Sequence, residues 1–302
     1  MKKITIFTPT YNRAYILRQA YKSLLEQTNK EFIWLIIDDG STDDTQQLVS
    51  EWQKENKIDI KYIKQENQGK HIAHNTAVEN CNTEFLLILD SDDFLSENAI
   101  EILNKEIEKI KENKNISGII GNRWIPKSNK VIGTEMPKDI EYASGLELYQ
   151  KFGFKGDTLR LYKTEVLKKF LFPKIEGEKF IYENVVFDII DSKYKMLINR
   201  DKLYYCDYLE DGYTVNAKKL KKENPIGYAY ALNSGVKYSL TIRRKIKWTV
   251  LYIEWCKKNK IENAYNNFCN PLLYIIMYIP ATIYIIGKEV KRNAKDNKKI
   301  KK

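Results

Sequence analysis

Three carboxylates crowd the end of an apolar run. In LLILDSDDFL (86–95) the residues Leu86 to Leu89 are followed by Asp90, Asp92 and Asp93. An apolar run of that kind reads as a strand buried on both faces. Acids gathered at its end repel one another and lose hydration, so the pattern calls for a counter-charge. Paired carboxylates suit a hard divalent cation, Mg2+ or Mn2+, which takes oxygen ligands and fills its other positions with phosphate oxygens and water. That chemistry fits a nucleoside diphosphate. Asp92 and Asp90 are the candidate metal ligands; Asp93 serves either the site or the N-terminus of the following helix.

Two further polar segments carry groups of the same kind. FIWLIIDDGSTDDT (32–45) ends a second apolar run with Asp38 and Asp39, either of which can accept a hydrogen bond from the N–H edge of a base. Gly40 permits a tight turn there, and Ser41 or Thr42 can cap the next helix. QGKHIAHN (68–75) holds the chain's two histidines, His71 and His74, three apart and so on one face of a helix. A zinc site needs more ligands, and no cysteine or glutamate cluster lies within sequence reach. Gly69 and Lys70 open that helix instead, where N–H groups and a cation favour an anion. Lys70, His71 and His74 are therefore candidates for a diphosphate or base contact, a purely structural role being the alternative for either histidine.

Positioning these groups requires a particular scaffold. KITIFTP (2–9), FIWLIID (32–38), IDIKYIKQ (58–65), EFLLILD (84–90) and ISGIIGN (116–122) read as strands. Helices are expected at about 13–25, capped by Asn12, then at 43–55, 70–81, and from Ser96 to about 112. Apolar strands alternating with helices specify an α/β fold with a mainly parallel, doubly wound sheet. Ligands of such sheets bind outside the carboxyl ends of the strands. The segments TPTYN (8–12), DDGS (38–41) and DSDD (90–93) should then meet on one edge. Beyond residue 125 the reading is a loop or irregular hairpin at 126–143 and helices at 145–152, 164–170 and 183–194. Strand character follows at 196–210, then a helical region from 216.

In this order and spacing, TPTYNRAYIL, IIDDGSTDDT, GKHIAHNTAV and LLILDSDDFL resemble the inverting family-2 glycosyltransferases of the Rossmann-like GT-A fold. The resemblance covers about the first 125 residues, and more weakly the chain to about 215. It implies a glycosyltransferase domain over 1–215, with a nucleotide-sugar half (1–125) and an acceptor half (126–215), followed by a helical C-terminal region (216–302). It also implies that Thr8, Pro9 and Tyr11 line the nucleotide pocket, that Asp39 binds the nucleobase, and that Asp90 and Asp92 contact ribose and a divalent metal, Mn2+ or Mg2+. The donor is expected to be a nucleotide sugar, with UDP suggested, and the acceptor a glycan or lipid-linked sugar of the cell envelope. Many relatives carry an arginine where this chain has His74, just before Asn75. An inverting transfer needs a general base. GEKFIYEN (177–184) resembles the segment that supplies an acidic pair, so Glu183 is the candidate, with Asp188 a turn later as rival. YLEDGYT (208–214) also resembles a recurrent segment.

Other function classes fit less well. A sugar-phosphate nucleotidyltransferase would be expected to carry a Gly-rich basic loop after the first strand, and TPTYNR has no glycine. The net charge of +11 prompts nucleic-acid binding, yet much of it is concentrated at 288–302, with eight Lys or Arg against two acids, and no nucleic-acid motif appears. Four cysteines without CxxC spacing suit a reducing cytoplasm. The apolar stretch 272–286 is short for a spanning helix and is interrupted by Pro280. It either packs on the domain or rests, with the basic tail, as a peripheral contact of 263–302 on the inner face of the membrane.

Overall fold

The computed structural model describes residues 2–206 and 215–300; the segment YLEDGYT (208–214) lies outside the described residues. The apolar runs form β1 (Ile4–Thr10), β2 (Phe32–Asp38), β3 (Ile60–Lys64) and β4 (Phe85–Ile88), all parallel and ordered β3-β2-β1-β4. Every residue of β1 and β4 is buried, the mark of strands covered on both faces. The crossovers are α1 (Ala14–Leu25), α2 (Thr45–Glu55) and α3 (Lys70–Asn80). A two-residue strand, β5 (Phe94–Leu95), then leads into α4 (Ala99–Ile110) and β6 (Ile116–Ile125).

The second half enters the same sheet. After the short β7 (Lys130–Val131) and β8 (Tyr142–Ala143) come α5 (Gly145–Gln150), β9 (Thr158–Lys163), α6 (Thr164–Leu167), α7 (Asn184–Asp191) and β10 (Lys195–Tyr205). The main strand order is β3-β2-β1-β4-β9-β6-β10-β5. β9, absent from the sequence reading, runs antiparallel between β4 and β6, so the mainly parallel sheet carries one reversed strand at its centre. Two apolar layers flank the sheet. One joins α1, α2 and α4 through Leu24, Trp52 and Leu103; the other joins α3 and α7 through Ala77, Val78 and Ile190.

The C-terminal region is helical: α8 (Ala217–Glu223), α9 (Pro225–Lys237), α10 (Ile242–Lys258) and α11 (Pro271–Ile300). α11 runs through Pro280 without a break, contrary to the expectation of an interrupted segment. A proline costs the helix one donor and a carbonyl clash, which this long helix absorbs. Over Pro271–Lys288 it is the one helix among the described residues long and apolar enough to cross a membrane.

Three rings brace the first layer. Trp34 of β2 is fully buried, with the Tyr21 and Trp52 rings stacked beside it at centroid distances of 5.9 and 5.7 Å. Its Nε1 donates to Thr8 Oγ1 at 2.9 Å. Trp34→Ala should lower the unfolding free energy, measured by denaturant titration, by about 3–5 kcal/mol, and a loss under about 1 kcal/mol would contradict this packing.

Candidate functional site

The loops after β1, β2 and β4 meet at the carboxyl edge of the sheet and open onto a cavity of about 1130 Å3 lined by Pro9, Tyr11, Asp39, Lys70, Asp90 and Asp92, among others. Asn12 does not cap α1, whose N-cap is Arg13. It adopts a left-handed φ of 52°. Its Oδ1 accepts from the backbone N–H groups of Thr42 and Asp43 at 2.8 and 3.3 Å, and its own N–H donates to Ser41 Oγ. A tertiary bond between two loops has taken the side chain that a local reading gives to the helix. Likewise Asp44, not Ser41 or Thr42, stands at the N-cap of α2, and Asn98, not Ser96, at that of α4.

Thr8 is wholly buried and turned toward Trp34, so it supports the cavity wall and does not line it. Asp39 lines the cavity and accepts from Gln65 Nε2 (2.7 Å) and from the backbone N–H groups of Gln68 (2.9 Å) and Gly69 (2.7 Å). Burial pushes its carboxyl up despite those donors. Gly69 is required there: its φ is +94°, and a Cβ would sit 1.9 Å from the Lys179 carbonyl oxygen. Asp38 is occupied elsewhere, accepting from Tyr62 and the Ser41 N–H.

The crowded acids find their counter-charges in three cations. Lys70 Nζ lies 2.7 Å from Asp90 Oδ1, Arg123 Nη1 lies 3.1 Å from Asp90 Oδ2 and from Asp93 Oδ2, and Arg13 Nη1 lies 3.2 Å from Asp92 Oδ2. Burial alone would raise Asp90, but Lys70 and Arg123 hold it well below the usual carboxylate range. Burial and the charge of Asp90 push Asp92 up, against Arg13. Asp93 is buried, accepts from Tyr204 Oη at 2.7 Å and is raised by burial. It belongs to this network and not to the start of α4, which begins six residues later.

A hard divalent cation needs only one or two protein carboxylates when a diphosphate completes its shell. Among the described residues no group of three or more His, Cys, Asp and Glu is arranged to hold a metal alone. Both Asp90 oxygens are engaged by cations. Asp92 lines the cavity with its Oδ2 paired to Arg13 at 3.2 Å, and burial and the charge of Asp90 still push its carboxyl up, a burden that a metal shared with a bound ligand would relieve.

From the second half, Glu183 reaches this cluster: its Oε1 lies 2.9 Å from Lys70 Nζ. Desolvation opposes its ionisation, but Lys70 holds it below the ordinary glutamate range. Asp188 also lines the cavity, accepting from Asn184 Nδ2 (3.1 Å) and Ser234 Oγ (3.2 Å), and burial pushes it up to about 6. His71 and His74 line the cavity too, yet burial pushes both down to about 4 and no ring nitrogen has a hydrogen-bond partner. At neutral pH they are uncharged rings beside Phe172, not cationic donors for a phosphate. The sequence reading overlooked Arg13, Arg123 and Tyr204. Arg13 directly follows the TPTYN segment. Arg123 and Tyr204 sit far along the chain, at strand ends that only the fold brings to this edge. The cavity is also lined by Tyr182, Lys221, Tyr228, Arg244 and Trp248, from the segment before α7 and the C-terminal helices.

Residues 5–171, more than half of the chain, match the family model described as Glycosyl transferase family 2. The chain is 41% identical over 107 residues to an uncharacterized glycosyltransferase of Rickettsia conorii, a match that covers 35% of this chain and 17% of the relative. It thus spans less than a fifth of that relative's length. It is 28% identical over 234 residues to the GalNAc(5)-diNAcBac-PP-undecaprenol beta-1,3-glucosyltransferase of Campylobacter jejuni, covering 76% of this chain and 72% of the relative. Among solved structures, S. aureus TarS 1-349 in complex with UDP-GlcNAc shares the fold, with a TM-score of 0.61 at 18% identity over 97% of this chain and 92% of that one.

Asp188 provides a test of the site's electrostatics. With its carboxyl raised to about 6, the folded protein favours the neutral acid, whereas an unfolded chain ionises about two units lower. The stability this contributes is full below about pH 4 and is lost as pH rises through about 6. Asp188→Asn should therefore gain on wild type between those pH values and remain ahead by on the order of 1–2 kcal/mol at pH 7. A difference in melting or denaturant midpoint that does not change with pH would contradict the assignment.

Proposed function

The chain belongs to glycosyl transferase family 2, and on that footing we propose that it transfers a sugar, with inversion and with the help of a divalent metal, from a UDP-linked donor to a glycan or lipid-linked acceptor in cell-envelope polysaccharide synthesis. The observation that carries this reading is the convergence of Asp39, Lys70, Asp90, Asp92 and Glu183 on one cavity at the carboxyl edge of the sheet. The C. jejuni relative, whose printed name describes a lipid-linked acceptor, and the UDP-GlcNAc complex of the TarS neighbour support it.

In this reading Pro9 and Tyr11 border the nucleoside, with Thr8 behind them holding β1 to β2. Asp39, fixed by Gln65, Gln68 and Gly69, presents its remaining lone pairs to the base N–H. Asp90 orients the ribose, and Asp92 is the protein ligand of Mn2+ or Mg2+, which when bound would stabilise charge on the departing diphosphate. Lys70 and Arg13 lie where they can add charge for the same anion. Glu183 is the general base. As the acceptor hydroxyl oxygen bonds to the anomeric carbon from the face opposite the diphosphate, Glu183 takes the hydroxyl proton. The carbon–oxygen bond to the diphosphate breaks, and the diphosphate leaves with the electron pair. Lys70 keeps Glu183 ionised for this task.

One observation favours a second assignment. Asp188, raised to about 6, is closer in basicity to the operating pH than Glu183. The pH dependence of kcat/KM separates the two. With Glu183 as base, activity is flat from pH 7 down through 6 and falls only in the range of an ordinary or lower carboxylate. A limb centred near 6 would assign the base to Asp188.

The overall reading is tested by nucleotide release from UDP-, GDP- and CMP-sugars in the presence of Mn2+, Mg2+ or EDTA. We expect UDP release that EDTA abolishes and that Asp92→Asn reduces by about two orders of magnitude or more. Near-wild-type turnover of Asp92→Asn would overturn the metal assignment. Glu183→Gln should retain UDP binding while losing transfer; weakened UDP binding would make Glu183 a structural residue.

A further inference from the structure

α11 has two apolar faces, and only one is covered. Tyr274 and Ala281 are buried against Tyr252, Ile253 and Phe268, which ties the helix to α10 and the loop before it. On the opposite side Leu272, Ile275, Ile276, Ile279, Ile283 and Ile286 recur at helical spacing, and each is 55–69% exposed. Scattered exposed apolar residues are ordinary, but a continuous stripe is not. At 1.5 Å per residue this one runs about 21 Å. Tyr278 and Tyr284 stand at its flanks, 42% and 58% exposed, as amphipathic rings do at the boundary between lipid and water.

We infer that this stripe rests on an anionic lipid bilayer, with α11 lying in the plane of the membrane surface. Charge selects this occupant over a second copy of the chain. Immediately beyond the stripe, residues 288–302 carry eight Lys or Arg against two acids. Parallel pairing of two such stripes brings together two segments of net +6 each, and antiparallel pairing adds no attraction for either, whereas an anionic headgroup layer attracts them, each basic residue adding about 1 kcal/mol near the surface. Packing selects the in-plane arrangement over a spanning one. Although Pro271–Lys288 has the length and apolarity to cross a bilayer, crossing requires tearing Tyr274 and Ala281 from their buried cluster. The consequence reaches the cavity. α10 contributes Arg244 and Trp248 to its wall and packs against α11 through Tyr252 and Ile253, so docking holds this wall of the cavity near the bilayer.

Flotation of the full chain tests this without any substrate. The protein is expected to float with phosphatidylcholine vesicles containing phosphatidylglycerol, weakly with phosphatidylcholine alone, and less as salt is raised. Ile275→Glu with Ile279→Glu should cut partitioning by about tenfold or more, from the lost burial of two large side chains. Melting temperature and UDP-sugar hydrolysis in solution should be unchanged. Ile279→Ser with Ile283→Ser provides an uncharged second variant with the same expectation. Undiminished flotation of these variants would overturn the inference. So would lipid-free self-association that the variants abolish, which would show the stripe to be an interface between copies.

Discussion

Crowded negative charge at the end of β4 is the constraint on which the rest of the structure depends. Two unit charges 4 Å apart interact by about 4 kcal/mol at an effective dielectric of 20, and more where water is excluded. Asp90, Asp92 and Asp93 would be untenable together without partners. The fold brings Arg13 from the start of α1, Lys70 from the start of α3 and Arg123 from the end of β6, three elements far apart in sequence. Arg123 also lies over the Tyr204 ring, 4.4 Å from its centroid, while the Tyr204 hydroxyl donates to Asp93. The sheet order places β6 and β10 where those groups can reach β4's end, so strand order and charge balance are one problem solved once.

The same network joins the two halves of the sheet. Lys70 is shared between Asp90, of the first half, and Glu183, of the second. Asn75 clasps the Phe172 backbone from both sides, donating to its carbonyl at 2.8 Å and accepting from its N–H at 2.9 Å. Gly69 allows the Lys179 carbonyl to approach within the space of a missing methyl. β9 then runs between β4 and β6 as part of the sheet itself. Glu183 on one half is thereby held in fixed relation to Asp39, Asp90 and Asp92 on the other, the fixed geometry that the proposed in-line displacement requires.

Much of this is legible in the sequence where a signal is local. Continuous apolar runs announce β1, β2 and β4, and the polar residues after them mark the binding edge, because a strand buried on both faces needs no tertiary information to be recognised. The four motifs in register announce the family. What escapes is whatever the tertiary structure reassigns. Asn12 has the makings of a helix cap but ties two loops together. Asp93, which the sequence leaves open between the site and a helix N-terminus, is buried against Arg123. His71 and His74 look like diphosphate or base contacts, yet their helix carries His74 among Phe7, Phe172 and Phe187 and His71 beside Phe172, where desolvation disfavours their charged forms. TLRLYK, a strand with a central arginine, is masked because Arg160 pairs with Asp191 inside the fold.

The central claim is that the acids at the end of β4 serve a metal-bound nucleotide diphosphate. Anomalous scattering from Mn2+ in crystals of the protein with UDP tests it most directly. The account predicts one strong peak within coordination distance of an Asp92 carboxylate oxygen, with the diphosphate on its other side toward Lys70 and the uracil beside Asp39. A UDP bound away from this edge, or a Mn2+ peak that does not touch Asp92, would contradict it.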